Sequence, residues 1–167
     1  MAAGSTYTPI ATTTLGSAAA SYTFSSIPST YTDLVLIFNG TNNQAINTAD
    51  FTLNFNGDSG ANYSRTWLAG NGSAAASNRS TGSTTIYTTF YGAPSTSQSN
   101  VIVSFQNYSN TTTYKTVLAR TTNAASGTDA TVGLWRSTAA ISSILITNTV
   151  GTFSVGSTFT LYGIAAA

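Results

Sequence analysis

Hydrophobic and polar residues alternate along much of the chain with a period of two, most densely near its end. There, apolar segments predict strands over Thr131–Arg136, Ile141–Thr147 and Ser157–Ile164, so we expect the core to be centred on this part of the chain. The segment Ser137–Ala140 between the first two strands is short enough for a hairpin loop.

Further segments of the same kind occur upstream, and none has a convincing helical period. They predict strands over Ser21–Ser26, Asp33–Asn39, Phe51–Phe55, Tyr63–Ala69, Thr84–Tyr91, Asn100–Tyr108 and Tyr114–Thr121. The apolar run Asp33–Asn39 is continuous, which is typical of a central strand that is buried on both faces. In Ser157–Ile164, by contrast, Phe159 and Leu161 share one face.

The segments between the strands carry turn residues. Asn56–Gly60 has the strongest turn signal, so we predict a hairpin over Phe51–Ala69. Gly70–Gly82 has almost no hydrophobic residues and is predicted to be a surface loop. Met1–Thr14 is small and polar, and Pro9 excludes a regular central strand, so this segment is an extended arm on a neighbour or a frayed terminus.

Short strands at regular spacing, separated by turns, predict an all-β fold. The strand count is close to eight with a few extra, which favours an antiparallel β-sandwich that is jelly-roll-like. We therefore expect an extended N-terminal arm over residues 1–14 and a single β-sandwich domain over residues 15–167.

The composition bears on the surface of this sandwich. Charged residues make up only 5% of the chain, the net charge is +1, and Ser and Thr together account for about a third of the residues. Charge keeps soluble proteins apart, so an uncharged exterior suits a subunit that is covered by its neighbours in a fixed assembly. The alternative is a secreted β-domain with a polar coat.

Few groups are available for catalysis or metal binding. The chain has no histidine or cysteine, and its carboxylates are Asp33, Asp50, Asp58 and Asp129. Glycosidase chemistry needs two carboxylates facing each other across a sugar, so we expect no enzymatic activity, cofactor or small-molecule substrate. The turn around Asp58 has too few acidic oxygens for a typical calcium loop. An isopeptide crosslink at Lys115 would require a buried acid beside it.

The basic residues are scattered, so we expect no nucleic-acid binding. Arg65 lies near Trp67 in sequence and Arg136 follows Trp135, so each arginine is a candidate for ring stacking or for a subunit contact. The residues proposed as subunit or capsid contacts are Tyr7, Pro9, Ile10, Arg65, Trp67 and Arg136.

Signals for export and membrane insertion are missing from the sequence. The segment MAAGSTYTP has no basic region followed by an apolar one, and no apolar run approaches the ~20 residues of a membrane helix. We therefore expect a protein that is made and assembled in a cytoplasm and has no membrane partner.

Several segments together resemble a family of small virion structural proteins of tailed bacteriophages. They are Ser21–Asn42 (SYTFSSIPSTYTDLVLIFNGTN), Phe55–Ser64 (FNGDSGANYS), Asn110–Arg120 (NTTTYKTVLAR), Gly133–Ile141 (GLWRSTAAI) and Gly156–Ile164 (GSTFTLYGI). The closing STFTLYGI is the most specific of these marks. Members of this family resemble both capsid decoration (cement) proteins and tail or fibre components.

The resemblance implies a β-sandwich, often a homotrimer, with no enzymatic activity and a location in the virion. The expected function is capsid decoration, with the major capsid protein as the partner. The alternative is a tail-fibre or receptor-binding module that recognises host surface glycans through exposed aromatic residues. The candidate aromatic residues are Trp67, Tyr87, Tyr91, Tyr108, Tyr114 and Trp135.

Overall fold

A computed structural model describes residues 6–44, 49–88, 91 and 97–165. These residues form two antiparallel sheets and contain no helix, so the predicted all-β sandwich is confirmed. The strands are β1 (Tyr7–Thr14), β2 (Ser21–Phe24), β3 (Asp33–Gly40), β4 (Phe51–Phe55), β5 (Tyr63–Gly70), β6 (Ala75–Ser83), β7 (Ile86–Tyr87), β8 (Ser99–Gln106), β9 (Lys115–Asn123), β10 (Gly127–Trp135), β11 (Ile144–Asn148) and β12 (Thr158–Ile164).

Eight of the strands form nested pairs, as if one long hairpin had been rolled up. β1 pairs with β12, β2 with β11, β3 with β8 and β4 with β7. The smaller sheet has the order β2-β11-β4-β7, and the larger sheet contains β1-β12-β3-β8. This nesting over two sheets is the connectivity of a jelly roll.

The other four strands widen the larger sheet. β5–β6 and β9–β10 are hairpins, and they continue the order beyond β8 as β9-β10-β5-β6. The larger sheet therefore has eight strands and the smaller sheet four. β6, the strand of the larger sheet furthest from β1, has no buried residue.

Aromatic side chains fill the space between the sheets. Phe38, Phe51, Phe153 and Phe159 are each at most 2% exposed, and their ring centroids lie 4.6–5.3 Å apart in the contacting pairs. Aromatic pairs at such distances stabilise a core beyond the area that they bury. The core thus draws on strands from both halves of the chain as well as on the C-terminal part, where we expected it to be centred.

Several predicted elements are confirmed. Phe51–Phe55 is β4 with the predicted bounds, and Asp33–Gly40 is an interior strand with Leu34, Leu36 and Phe38 buried towards the core. In β12, Phe159 and Leu161 are fully buried on the predicted face. The strand predicted over Thr84–Tyr91 is observed only as β7, and Thr89 and Phe90 lie outside the described residues.

Both predicted hairpins are wrong. Asn56 and Gly57 do form a tight turn, with φ of 53° and 70°. However, β4 belongs to the smaller sheet and β5 to the larger one, so Phe51–Ala69 is a crossing between sheets. The segment after β10 crosses in the same way to β11, which begins at Ile144. Consecutive jelly-roll strands change sheets, and a turn signal does not distinguish a crossing from a hairpin.

Two other expectations are corrected. Much of the predicted surface loop Gly70–Gly82 is β6, which pairs with β5 although none of its residues is buried. Of the predicted arm, Tyr7–Thr14 is instead the edge strand β1, bonded to β12 of the same chain, with a register shift between Pro9 and Ala11. Residues 1–5 of that segment lie outside the described residues.

Candidate functional site: the outer face of the larger sheet

The face of the larger sheet that points away from the smaller sheet carries a band of apolar side chains. On β10, for example, Thr131 and Gly133 point inward and are buried, whereas Val132 between them is 56% exposed. Leu68 and Leu118 are 63% and 48% exposed on the neighbouring strands. Large apolar residues exposed side by side on one face are typical of an interaction site.

Strand register places these residues in two adjacent rows. We call the set the outer strip; its members are Val35, Ile37, Leu68, Ile102, Leu118, Ala130, Val132 and Tyr162. One row runs through Tyr162, Val35, Ser104, Leu118 and Val132, and the other through Ile37, Ile102, Arg120, Ala130 and Leu68, so a polar residue stands in each row. The outer strip therefore crosses six strands, from β12 to β5. Leu68, Leu118 and Val132 are the strongly exposed members of the strip, whereas Val35 is buried.

Polar residues border the outer strip. Asn39, Asn100, Thr122 and Thr128 form the next row on one side, joined by register across β3, β8, β9 and β10. Arg120 lies within the strip, next to a groove that is also lined by Tyr7 and Ser104. Apolar residues bordered by polar ones are common in protein–protein interfaces, and here Arg120 and Ser104 also lie among the apolar residues.

The proposed contact residues of β1 lie at one end of this sheet. Tyr7 is 53% exposed and packs edge-to-face on Tyr162, a member of the outer strip, with centroids 6.1 Å apart. Pro9 is exposed, whereas Ile10 is partly buried and packs against the core. Tyr7 therefore adjoins the outer strip, and Ile10 is turned away from it.

Arg65 and Trp67 lie together on the inner side of β5, where the smaller sheet ends. The Arg65 guanidinium sits 4.6 Å from the ring centroid of Tyr87 and 6.0 Å from that of Trp67, so its nearer aromatic partner is Tyr87 rather than the predicted Trp67. Burial lowers the pKa of Arg65, while Asp50 and Asp129 oppose that shift. Several strands separate these two residues from Tyr7 and Pro9, so the proposed contacts do not form one site.

Asp50 is the most perturbed carboxyl group in this region. Burial raises its pKa to about 6, although the nearby Arg65 acts to lower the pKa and the charge of Asp129 adds to the increase. Its Oδ1 atom is buried and accepts no hydrogen bond. Burial without a hydrogen-bond donor destabilises the charged form of a carboxyl group, and its pKa therefore rises.

Arg136 does not stack on Trp135. Its Nη2 donates to the carbonyl oxygens of Ala61 (2.9 Å) and Tyr63 (3.4 Å), and its Nη1 donates to the Ser64 hydroxyl. Arg136 therefore holds the segment that leads into β5, and its donors are used within the chain.

Asp58 holds the neighbouring turn. Its carboxylate accepts hydrogen bonds from Trp135 Nε1 (2.7 Å), from Asn62 Nδ2 (3.0 Å) and from the Gly60 amide (2.8 Å). These bonds, led by that from Trp135, lower the pKa of Asp58. The predicted turn is confirmed. Its Asp58 carboxylate is also held by Trp135, which lies on the distant strand β10.

We expect Asp58→Ala to lower the free energy of unfolding by about 1–3 kcal/mol, because it leaves the buried indole N–H of Trp135 without its acceptor. The measurement is urea denaturation at pH 7. Asp58→Asn, which retains one acceptor oxygen, should cost less. Equal stability of Asp58→Ala and the parent would contradict this role.

Lys115 is buried at the start of β9. It is 1% exposed, and its ammonium group donates to the carbonyl oxygens of Thr113 (2.7 Å) and Thr138 (3.3 Å). Burial lowers its pKa. These contacts give Lys115 a structural role in joining the ends of β9 and β10, and neither partner is the acid that an isopeptide crosslink requires.

Most of the aromatic residues considered for a glycan platform are dispersed. Tyr108 and Trp135 are buried in the core, and Tyr114 is 55% exposed in the turn before β9. Trp67 and Tyr87 are half-buried around Arg65. Tyr91 is half-buried as well, and Trp67 and Tyr87 are the two candidates that contact a common side chain, Arg65.

The residues that the structure describes contain no cluster of three or more histidine, cysteine or acidic side chains with metal-binding geometry. They also contain no helix that is long and apolar enough to cross a membrane. The chemical features of this surface are therefore its apolar strip, its hydroxyl and amide rim, and a few arginines.

No protein-family model matches the chain, and no curated protein is significantly similar to it. The outer strip was missed in the sequence because its residues alternate with inward-facing apolar residues. In Lys115–Asn123, Val117 and Ala119 are buried while Leu118 between them is exposed.

Proposed function

We propose that this protein is a structural subunit of a tailed-bacteriophage virion and that it decorates the outer surface of the head. The observation that carries the proposal is the outer strip, in which Leu68, Leu118 and Val132 are 63%, 48% and 56% exposed, on a chain that has only 5% charged residues. Such a face favours association with a protein partner. The resemblance to virion proteins implies that this association takes place in the virion.

A decoration protein needs a rigid body and contact surfaces rather than reactive groups. The jelly roll supplies the rigid body, and Ser, Thr and Asn side chains on the rim supply uncharged hydrogen-bonding groups. Binding only to the assembled shell stabilises that shell by mass action, by about 2.7 kcal/mol per site at a concentration 100 times Kd. The proposed partners are the major capsid protein and two further copies of this chain, since the resemblance implies a homotrimer.

The test is to add the purified protein to phage heads that lack it. We expect saturable co-sedimentation and a higher temperature of head disruption. Heads that already carry the protein are the matched control and should gain neither. Heads that take up no protein at micromolar concentration would contradict the proposal.

A tail-fibre or receptor-binding module is the second candidate. It is favoured by one observation, the half-buried group of Trp67 and Tyr87 around Arg65, because aromatic faces beside a polar donor suit sugar rings. Saturable binding on a glycan array that is lost in Trp67→Ala and retained in Tyr114→Ala would support this candidate. Absence of binding to any glycan would exclude it.

A further inference from the structure

We propose that Asn71 is a site of spontaneous deamidation, favoured by the turn that joins β5 to β6. The chain contains three Asn–Gly pairs, which are Asn39–Gly40, Asn56–Gly57 and Asn71–Gly72. In such a pair the backbone nitrogen of the glycine can attack the side-chain amide of the asparagine, because glycine has no Cβ to obstruct the approach. The three pairs have different surroundings, and these surroundings select Asn71.

The Asn71 side chain is exposed, and its hydrogen bonds lie within its own turn. Its Oδ1 atom accepts from the backbone amides of Ser73 (3.0 Å) and Ala74 (2.8 Å). Its Nδ2 group donates to none of the residues that the structure describes. Gly72 has φ of 83°, and a Cβ placed on it would meet no atom within 4 Å. The leaving group and the attacking nitrogen are therefore both unobstructed.

The two amides that donate to Asn71 Oδ1 also favour the reaction. Attack at Cγ places negative charge on Oδ1, and two backbone N–H groups already point at this atom. Hydrogen bonds to an ionised oxygen are stronger than those to a neutral one, so these donors stabilise the tetrahedral intermediate more than the ground state. Paired backbone amides act in this way in the oxyanion holes of acyl-transfer enzymes.

The reaction needs only water and a base in solution. The base removes the proton from the Gly72 nitrogen, which bonds to Cγ of Asn71 as the Cγ–Nδ2 bond breaks. Nδ2 takes up a proton from solvent and leaves as ammonia, and a succinimide ring remains. Water then adds to one of the two ring carbonyl groups and opens the ring to an aspartyl or an isoaspartyl residue. Because the attacking nitrogen must lose its proton, the rate rises with pH.

Asn56 is exposed as well, but its amide is fixed at both ends. Oδ1 accepts from the amides of Ser142 (2.8 Å) and Ser143 (3.1 Å), and Nδ2 donates to the carbonyl oxygen of Ala140 (2.7 Å). Asn56 thus shares the two donors to Oδ1 with Asn71 but differs in having a bonded Nδ2. These bonds tie the turn to the segment before β11, so movement of Cγ towards the Gly57 nitrogen would break contacts between distant parts of the chain.

Asn39 is protected by the sheet. It lies in β3, which is paired with β12 on one side and with β8 on the other, and Gly40 is buried. The Oδ1 atom of Asn39 accepts a hydrogen bond from Asn100 Nδ2 (2.8 Å). Closing a succinimide ring rotates the backbone, which would break the strand pairing. Reaction at Asn39 therefore requires prior local opening of the sheet.

Deamidation of Asn71 would change both the charge of the chain and the β5–β6 hairpin. A carboxylate replaces a neutral amide, so the formal net charge falls from +1 to zero, where proteins associate most readily. An isoaspartyl residue also adds a methylene group to the backbone of the turn that fixes the register of β6. Because β6 has no buried residue, little besides its pairing with β5 resists this change.

The experiment is to incubate the full chain at pH 8 and to follow the three Asn–Gly pairs by peptide mapping with mass spectrometry. A parallel sample is unfolded in guanidinium chloride, and Asn71→Gln is the control for the charge change on isoelectric focusing. In the folded protein, Asn71 should react at least about tenfold faster than Asn39 and Asn56, because these two wait for local opening. In the unfolded protein the three rates should be similar.

Two results would overturn the inference. One is an Asn71 that reacts no faster than Asn39 and Asn56 in the folded protein. The other is an Asn71 that reacts more slowly in the folded protein than in the unfolded one, since the turn would then hinder the reaction. The inference is independent of the decoration role, because both results are obtained on the isolated protein.

Discussion

Replacing Phe38 with alanine is expected to lower the free energy of unfolding by about 3–5 kcal/mol. Phe38 is 1% exposed, and its ring lies 4.6 Å from Phe51, 5.3 Å from Phe153 and 5.0 Å from Phe159, measured between centroids. These partners come from β4, from β12 and from the segment before β12. The cavity would therefore lie where the two sheets meet, and the surrounding rings could close it only in part.

Urea denaturation at pH 7 measures this loss. Tyr114→Ala is the control, because Tyr114 is 55% exposed and its removal should change the stability by no more than about 0.5 kcal/mol. If both variants lost the same amount, the aromatic cluster would not be the centre of the core.

Asp50→Asn is expected to raise the free energy of unfolding by about 2–3 kcal/mol at pH 7–8. Burial raises the pKa of Asp50 from the ordinary 3.8 to about 6, so the folded state favours the neutral carboxyl group. Above pH 6 the folded protein must hold a buried carboxylate whose Oδ1 accepts no hydrogen bond. Asparagine has nearly the same shape and never acquires the charge.

The pH dependence distinguishes this cause from a general improvement in packing. Between the unfolded pKa near 3.8 and the folded pKa near 6, the folded state binds more protons than the unfolded state, so this group reduces stability as pH rises. The advantage of Asp50→Asn should therefore be near zero at pH 3.5, grow to pH 6 and then level off. An advantage that is the same at pH 3.5 and pH 8 would contradict a titrating Asp50.

Asp58 has the opposite dependence, which makes it a useful comparison. Hydrogen bonds from Trp135, Asn62 and Gly60 lower its pKa, so its contribution to stability is present above pH 3.8 and is lost as pH falls through the folded pKa. The two carboxyl groups are thus separated by pH. Titration of Asp50 changes the stability between about pH 4 and 6, and titration of Asp58 changes it at lower pH.

Local alternation predicted strands well because it reports directly on burial. In Phe51–Phe55 and in β12 the buried faces are those that the period of two indicated. The jelly-roll class followed from the number and spacing of the strands. These features depend on near neighbours in the chain, which is why one sequence suffices for them.

Pairing between strands was harder, because it depends on distant residues. The Asn56–Gly57 turn is present, yet β4 and β5 separate into different sheets because β4 pairs with β11 and β7 instead. β6 was missed because an edge strand is held by backbone bonds to β5 and needs no apolar side chains. Nothing in a segment as polar as Ala75–Ser83 signals such a partner.

The outer strip could not be predicted for the same reason, because grouping its residues requires knowledge of the strand pairing. Leu118 and Val132 stand on the consecutive strands β9 and β10, whereas Leu68 on β5 is distant in sequence, and each is an ordinary residue in its own segment. Only the order β9-β10-β5 brings them together on one face. Of the contacts proposed from sequence, Tyr7 adjoins this face, whereas Arg65 and Arg136 interact chiefly within the chain.

The proposal that this sandwich is a structural subunit of a phage head can be tested by imaging the virion that carries it. We expect density for the jelly roll on the outer surface of the head, with the outer strip covered by a neighbouring molecule. Density confined to the tail, or a head surface without this fold, would contradict it.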